Sequence, residues 1–147
     1  MLFVPEAVLI KTLERLSACG QGRSECVVYW TGPAGTQATA DGWLHPAHRQ
    51  SAFGYEVEST WLTRNLFQLA VEKRSIRAQL HTHPSAAFHS ETDDRWPIVS
   101  QPGFLSIVVP GFGRGKSART EEWWVGRLSG DGQWEELPFH LAVRVVE

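Results

Sequence analysis

The chain has 147 residues, of which 42% are hydrophobic and 20% charged, as expected for one globular domain and not for a disordered chain. A formal charge of −2 gives no electrostatic reason to expect nucleic acid or an anionic membrane as a partner, and no segment approaches the roughly 20 apolar residues of a membrane span. Because no basic region precedes an apolar stretch at the N-terminus, we expect no signal peptide and a cytoplasmic protein.

The first third of the chain predicts a helix followed by two strands. Pro5 suits the first turn of a helix, and apolar residues recur at helical spacing over residues 8–20. The β-branched and aromatic run 26–30 predicts a buried strand that ends in a turn at 31–33. A second strand is expected over residues 37–44.

The remainder predicts a second helix and several more strands. After a polar stretch at 48–51, an apolar stripe predicts a helix over 60–73, capped by Ser59 or Thr60. Residues 75–83 predict a strand with Ile76, Ala78 and Leu80 on one face. Further elements are expected as strands at 104–109, 122–128 and 140–146, with a Gly-rich loop at 111–119. We therefore expect a single α/β or α+β domain over residues 1–147.

The segment from His81 to Asp93 carries the chemistry. On the strand at 75–83, His81 and His83 point to the same side and can approach one metal ion. Pro84 ends that strand, and Ser90 with Asp93 resembles a capping arrangement that would turn the carboxylate back toward the histidines. Two imidazoles and one carboxylate leave a fourth position for water, which is the pattern of a catalytic zinc site.

A water molecule at such a site needs a general base. Glu25 is the best candidate, because it lies at the start of a buried strand where a surface glutamate has little reason to be. Glu56, Glu58 and Glu91 are the other acids that this assignment leaves open.

In its motifs the chain resembles the JAB1/MPN/Mov34 metalloenzymes, also called the JAMM family. The family signature is a glutamate on an early strand, then H-x-H-P, then S-x-x-D, and this sequence supplies Glu25, residues 81–84 and residues 90–93 in that order. The likeness covers roughly residues 1–128 and is greatest to the compact prokaryotic members. The family's mixed sheet with two main helices and a cytidine-deaminase-like architecture is therefore the expected fold.

The resemblance also implies roles for these residues. His81, His83 and Asp93 would hold one Zn²⁺ per chain, Glu25 would act as base and then as acid, and the Ser90 hydroxyl would stabilise the oxyanion. The loop before Ser90 is one residue shorter than is usual in the family, so Asp94 remains the alternative third ligand.

By the same resemblance, the substrate would be a ubiquitin-like protein or its conjugates, cleaved after the modifier's C-terminus, and the associated partners would be E1- and E2-like enzymes. The extended tail of the modifier would add as a strand near Trp43 or residues 122–124. Two other functions stay open: a catalytically silent MPN scaffold, and another metal hydrolase that uses an H-x-H pair.

The remaining cysteines and histidines carry no motif. Cys19 and Cys26 are too few for a disulfide scaffold, and Cys26 is expected to be a small buried hydrophobic residue. His45, His48 and His140 have no partner pattern and are expected on the surface or around the site.

Overall fold

Ten strands and three helices follow one another along the residues that the computed structural model describes, which are 1–35, 38–84, 101–113 and 119–147. In chain order these elements are β1 (Leu2–Pro5), α1 (Glu6–Gly20), β2 (Val27–Pro33), β3 (Gly42–Leu44), β4 (His48–Ser51), β5 (Gly54–Val57), α2 (Ser59–Val71), β6 (Arg74–Thr82), β7 (Leu105–Val109), β8 (Trp124–Leu128), β9 (Trp134–Glu136), α3 (Phe139–Ala142) and β10 (Val143–Val146). No helix in these ranges is long and apolar enough to cross a bilayer.

Six of the strands form one mixed sheet. Their order is β3-β2-β6-β7-β8-β9, with β6 and β7 parallel and every other neighbouring pair antiparallel. A hairpin of β4 and β5 and a parallel pair of β1 and β10 complete the described strands. The expected α+β class with a mixed sheet is thereby confirmed.

The two main helices cover opposite faces of the sheet because β2 is apolar on both sides. Val28 and Trp30 point into the larger core, which contains Val8 and Leu16 of α1. The alternate residues of β2 point into the smaller core under α2, whose members include Val27, Tyr29, Leu69 and the half-buried Trp61 and Leu62. A strand buried on both faces reads as a continuous apolar run, which is what residues 26–30 show.

A register shift between Trp30 and Thr31 changes the face of one predicted core residue. Trp30 pairs with Ala78, but the next residue, Thr31, pairs with Ile76. Ala78 therefore packs in the α1 core and Ile76 in the α2 core, whereas simple alternation predicted both on one face. Such bulges reset which side of the sheet a residue faces.

Other elements differ from the prediction at their ends or in type. β2 continues to Pro33 through the predicted turn, and the polar stretch 48–51 is strand β4. Only Gly42–Leu44 of the second predicted strand is a strand, and Gln37 lies outside the described residues. His140 belongs to helix α3, not to a strand. The helices α1 and α2 match the predicted ones to within two residues.

Candidate metal site

The end of β6 presents two histidines on the α2 side of the sheet. His81 pairs with Val27 of β2, a member of the α2 core, so its side chain lies on that face. His83 follows two residues later, and its backbone N–H still bonds to the carbonyl of Val109 at 2.9 Å, which continues the strand direction. Strand periodicity thus directs both imidazoles to the same side, as the H-x-H spacing predicts.

Glu25 lies close to the two histidines because hydrogen bonds continue between the two strands past the start of β2 and the end of β6. The N–H of Thr82 donates to the carbonyl of Cys26 at 3.0 Å, and the N–H of Cys26 donates to the Thr82 hydroxyl at 2.9 Å. Glu25 precedes Cys26, so its side chain lies on the same face as Val27 and His81. Its own N–H donates to the carbonyl of Ser51 at 2.7 Å, which attaches it to the β4–β5 hairpin.

Glu25, His81 and His83 form a buried cluster of metal-ligand type. One ligand atom from each lies within 4.8 Å of the others. The two Nε2 atoms of the histidines are 3.2 Å apart, and Oε1 of Glu25 is 3.9 Å from Nε2 of His83. The relative exposures of Glu25, His81 and His83 are 6%, 0% and 4%. The ring of Tyr55, from β5, lies beside His81 with centroids 5.3 Å apart.

These donors fit a zinc-type ion. Zn–N distances of about 2.0–2.1 Å place two imidazole nitrogens about 3.3 Å apart in a tetrahedral site. The observed separation of 3.2 Å between the two Nε2 atoms agrees with that edge. Nitrogen and carboxylate oxygen are also the donor types that such ions take. The separation of the two nitrogens therefore fits a metal ion bound between the two histidines.

Three of the predicted site residues cannot be compared with the structure. Ser90, Asp93 and the alternative ligand Asp94 all lie outside the described residues. Their roles remain predictions, as do those of Glu25, His81 and His83. Of the other candidate bases, Glu56 and Glu58 are exposed and belong to no ligand cluster among the described residues.

A second cluster, which the sequence did not predict, lies on the opposite face. It contains Cys19, Cys26, His45 and His48, with ligand atoms within 4.8 Å of one another. Cys26 is buried, as expected. It is not a free thiol, because a disulfide joins it to Cys19. His45 and His48, expected on the surface or around the site, lie with Nε2 at 3.3 Å and 3.5 Å from the sulfurs of Cys26 and Cys19.

The surroundings of His45 favour its neutral form. Its burial, the neighbouring His48 and the Arg15 guanidinium together lower the pKa of His45 from 6.5 to about 4. Desolvation penalises the charged imidazolium, and the two neighbours repel it.

A cavity of about 390 Å³ lies apart from both clusters. Its lining includes Leu2, Arg77, Leu105, Arg127 and Ala142, and none of the predicted site residues.

Comparison with known proteins supports the resemblance found in the motifs. No family model matches the sequence. Over 72 residues the chain is 35% identical to a protein of Sinorhizobium fredii named a probable metalloprotease, a match that spans 49% of this chain and only 44% of that protein's length.

Two solved structures resemble the whole chain. A protein from Desulfitobacterium hafniense, solved in solution, superposes with a TM-score of 0.68 at 12% identity, covering 100% of this chain and 94% of that one. The crystal structure of a JAB1/MPN domain protein from Archaeoglobus fulgidus superposes with a TM-score of 0.52 at 16% identity, covering 100% and 97%. The resemblance inferred from the motifs is thus confirmed: the chain has the fold of the JAB1/MPN domain proteins.

Proposed function

We propose that the chain is a zinc-dependent isopeptidase of the JAMM type, which hydrolyses the amide bond after the C-terminus of a ubiquitin-like modifier. The observation that carries the proposal is the buried cluster of Glu25, His81 and His83 on adjacent strand ends. Support comes from the JAB1/MPN fold and from the partial match to a probable metalloprotease.

Burial of all three side chains favours a catalytic role over a silent scaffold. Removing a carboxylate and two imidazoles from water costs free energy unless they are paired or bind a metal. A scaffold that only docks partners gains nothing from burying these three side chains at a strand end. The second alternative, a phosphoesterase with two metals, would need further carboxylates near His81, and the described residues bring only Glu25 there.

In the proposed reaction each residue has one task. His81 and His83, with Asp93 as third ligand, would hold the zinc, which would supply an acidified water and polarise the substrate carbonyl. Glu25 accepts a proton from the attacking water at its carboxylate and later donates it to the leaving nitrogen. The Ser90 hydroxyl donates a hydrogen bond to the oxyanion, a type of contact worth roughly 3 kcal/mol of barrier.

The described residues also suggest where the modifier's tail would lie. β3 is an edge strand of the main sheet, and it carries the half-buried Trp43. An extended peptide can add to such an edge through backbone hydrogen bonds. Because Leu44 of β3 pairs with Tyr29, the strand's C-terminal end is directed toward Glu25. The alternative edge at 122–124 is less suitable, since Trp123 is buried and β8 has partners on both sides.

The test uses the full chain with its disulfide intact, a linear fusion of a ubiquitin-like protein as substrate, and zinc analysis by mass spectrometry. We expect Glu25→Gln to retain one zinc and to lose about 10²–10⁴-fold in cleavage rate. Glu56→Gln, an exposed glutamate from the neighbouring hairpin, is the matched control and should cleave like the parent. His83→Ala should lose the zinc.

Each part of the proposal can fail separately. Parental cleavage by Glu25→Gln would overturn the assignment of the base. Full zinc content in His83→Ala would overturn the metal site. A zinc-loaded parent that cleaves neither linear fusions nor lysine-linked conjugates would overturn the substrate class.

A further inference from the structure

The cluster of Cys19, Cys26, His45 and His48 gathers donors from three separate parts of the chain. Cys19 lies in the last turn of α1, Cys26 directly precedes β2, and the histidines frame the start of β4. Gln21 ends α1 in the left-handed conformation at φ 50, and this returns the chain toward the sheet. The ring centroids of His45 and His48 are 5.3 Å apart. Convergence of four donors from distant segments is not a consequence of helix or strand periodicity.

Hydrogen bonds hold this arrangement from outside. The side-chain amide of Gln50, from β4, donates to the carbonyl of Cys19 and to the hydroxyl of Ser24, each at 2.9 Å. The strand that carries His48 is thereby attached to the turn between the two cysteines. The oxygen of the same amide, Oε1, lies 3.1 Å from the sulfur of Cys19. The side chain of Gln50 therefore helps to hold the cluster in place.

The hydrogen bond of Nδ1 determines the tautomer of His48. Nδ1 lies 2.7 Å from the carbonyl oxygen of Pro46, and a carbonyl can only accept, so Nδ1 carries the proton in the neutral ring. Nε2 then presents a lone pair to the sulfur of Cys19 at 3.5 Å. A disulfide sulfur has no proton to donate, so this contact places two lone pairs opposite each other. Histidines that bind a metal through one ring nitrogen usually donate the N–H of the other ring nitrogen to a carbonyl or a carboxylate.

The spacing of the donors also matches a zinc site. Zn–S distances of about 2.3 Å and Zn–N distances of about 2.0–2.1 Å make the sulfur-to-nitrogen edge of a tetrahedron about 3.5 Å. The two observed sulfur-to-nitrogen distances are 3.3 Å and 3.5 Å. The Cα atoms of the cysteines are 6.1 Å apart, so side-chain rotation can open the two sulfurs to the required edge of about 3.8 Å.

We propose that the reduced chain binds a second zinc ion through Cys19, Cys26, His45 and His48, and that the disulfide is the metal-free state of the same site. A dithiol reductant converts the disulfide into two thiols and is itself oxidised to a disulfide. Zinc binding then releases the two thiol protons to solvent, because the thiolate is the ligand. Four protein ligands leave no open position, so the site is structural and not catalytic.

This second site is independent of the proposed hydrolysis, although it lies next to it in the chain. Cys26 follows Glu25, and the two side chains leave opposite faces of the sheet. Zinc at the Cys₂His₂ cluster would join the end of α1, the start of β2 and the segment between β3 and β4. Glu25 lies in the connection between the end of α1 and the start of β2, and its N–H donates to the carbonyl of Ser51 at the end of β4.

The experiment uses cobalt(II) as a probe, because only a thiolate-ligated cobalt gives an intense sulfur-to-metal charge-transfer band in the near ultraviolet. The full-length His83→Ala variant removes the first metal site. It is reduced with a water-soluble phosphine, which is converted to its oxide, and then titrated with Co²⁺. We expect one equivalent of cobalt with the charge-transfer band, displaced by one equivalent of Zn²⁺. The same variant before reduction should show no band.

Two further variants in the same background identify the ligands. Cys19→Ser and His48→Ala should each weaken metal binding by more than the roughly 10–100-fold that loss of a supporting hydrogen bond costs. His140→Ala, an exposed histidine on α3, is the matched control and should bind like the parent. Circular dichroism verifies that each variant is folded.

The outcomes separate this proposal from the first. A reduced, folded His83→Ala chain that shows no charge-transfer band, or that shows it unchanged after His48→Ala, overturns the second site and leaves the cluster a disulfide only. Loss of zinc from the His83→Ala chain with its disulfide intact would bear on the metal site at Glu25 and not on the second site.

Discussion

At the scale of single residues, the chain places two sets of metal-ligand side chains back to back. Glu25, His81 and His83 face α2, and Cys26 with its partners faces α1. The first set is buried throughout, whereas in the second set Cys26 is buried and the other three side chains are half-buried. The chemistry of the described region is therefore concentrated where β2 begins and β6 ends.

His45 makes the stability of the metal-free chain depend on pH. Its pKa is about 4 in the folded chain and 6.5 without the fold, so the unfolded state binds more protons between those values. The free energy of unfolding should be full above about pH 6.5 and should fall as the pH drops toward 4. Urea titrations of the disulfide form across this range measure the slope.

The variant His45→Gln should reduce that slope, since glutamine does not titrate. The exposed His140→Gln is its control and should leave the slope unchanged. Identical slopes in the parent and His45→Gln would show that other groups determine the acid sensitivity.

The two clusters differ in how far sequence could predict them. Alternation along one strand predicts the joint placement of His81 and His83, and a resemblance in motif adds Glu25. The four residues of the second cluster have no periodic relation, because a helix end, a strand start and a connection meet only in the folded sheet. The pair His45 and His48 at i and i+3 was the only local signal, and by itself it is weak.

At the scale of elements, α1 is attached to β2 by one buried hydrogen-bond chain. Nε1 of Trp30 donates to the hydroxyl of Thr12 at 2.8 Å, and that hydroxyl donates to the carbonyl of Val8 at 2.7 Å. Both Thr12 and Trp30 are fully buried. The indole therefore has its polar atom satisfied inside an apolar core, which a buried tryptophan requires.

Replacing Thr12 by valine should cost stability without changing the volume of the core much. Thr12→Val leaves the indole N–H of Trp30 without its acceptor, and we expect a loss of about 1–3 kcal/mol in the free energy of unfolding. Thr63→Val, an exposed threonine on α2, is the matched control and should stay within about 0.5 kcal/mol of the parent. Urea unfolding measures both, and equal values for the two variants would contradict the role given to Thr12.

The strands that were not predicted from the sequence are those that lack an alternating pattern of apolar residues. β4 has the pattern His-Arg-Gln-Ser and is half-exposed or exposed throughout, so no alternation marks it as a strand. β1 and β9 have four and three residues, which is too short for a periodic signal. The long α1 and α2 were predictable because their apolar stripes repeat over several turns.

At the scale of the whole molecule, the first and last described strands close the larger core. β1 and β10 pair in parallel, with Val4 opposite Val145. Val4 is fully buried among residues of α1 and α3, whereas Val145 is 39% exposed. Sequence motifs cover the chain only to about residue 128, yet Phe139, Ala142 and Val143 belong to the same core as α1.

This pairing predicts that the strand pair unfolds with the rest of the core. Val4→Ala should lower the free energy of unfolding by about 2 kcal/mol, because it removes two buried methyl groups and leaves a cavity. Val145→Ala should change it by less than about 0.5 kcal/mol. Calorimetry should show one transition in each variant, shifted by roughly 4–8 °C for Val4→Ala. A separate early transition would show that β1 and β10 form an independent unit.

The consecutive positions of Glu25 and Cys26 have a consequence for how this strand can vary. Because side chains alternate between faces, inserting one residue between Cys26 and Val27 would exchange them: the carboxylate would meet the end of α1, and the sulfur would meet the two histidines of β6. Two hydrogen bonds fix the present register of the strand: the N–H of Thr82 donates to the carbonyl of Cys26, and the N–H of Cys26 donates to the Thr82 hydroxyl. Substitutions can alter one face at a time, but a change of length at this point would disable both together.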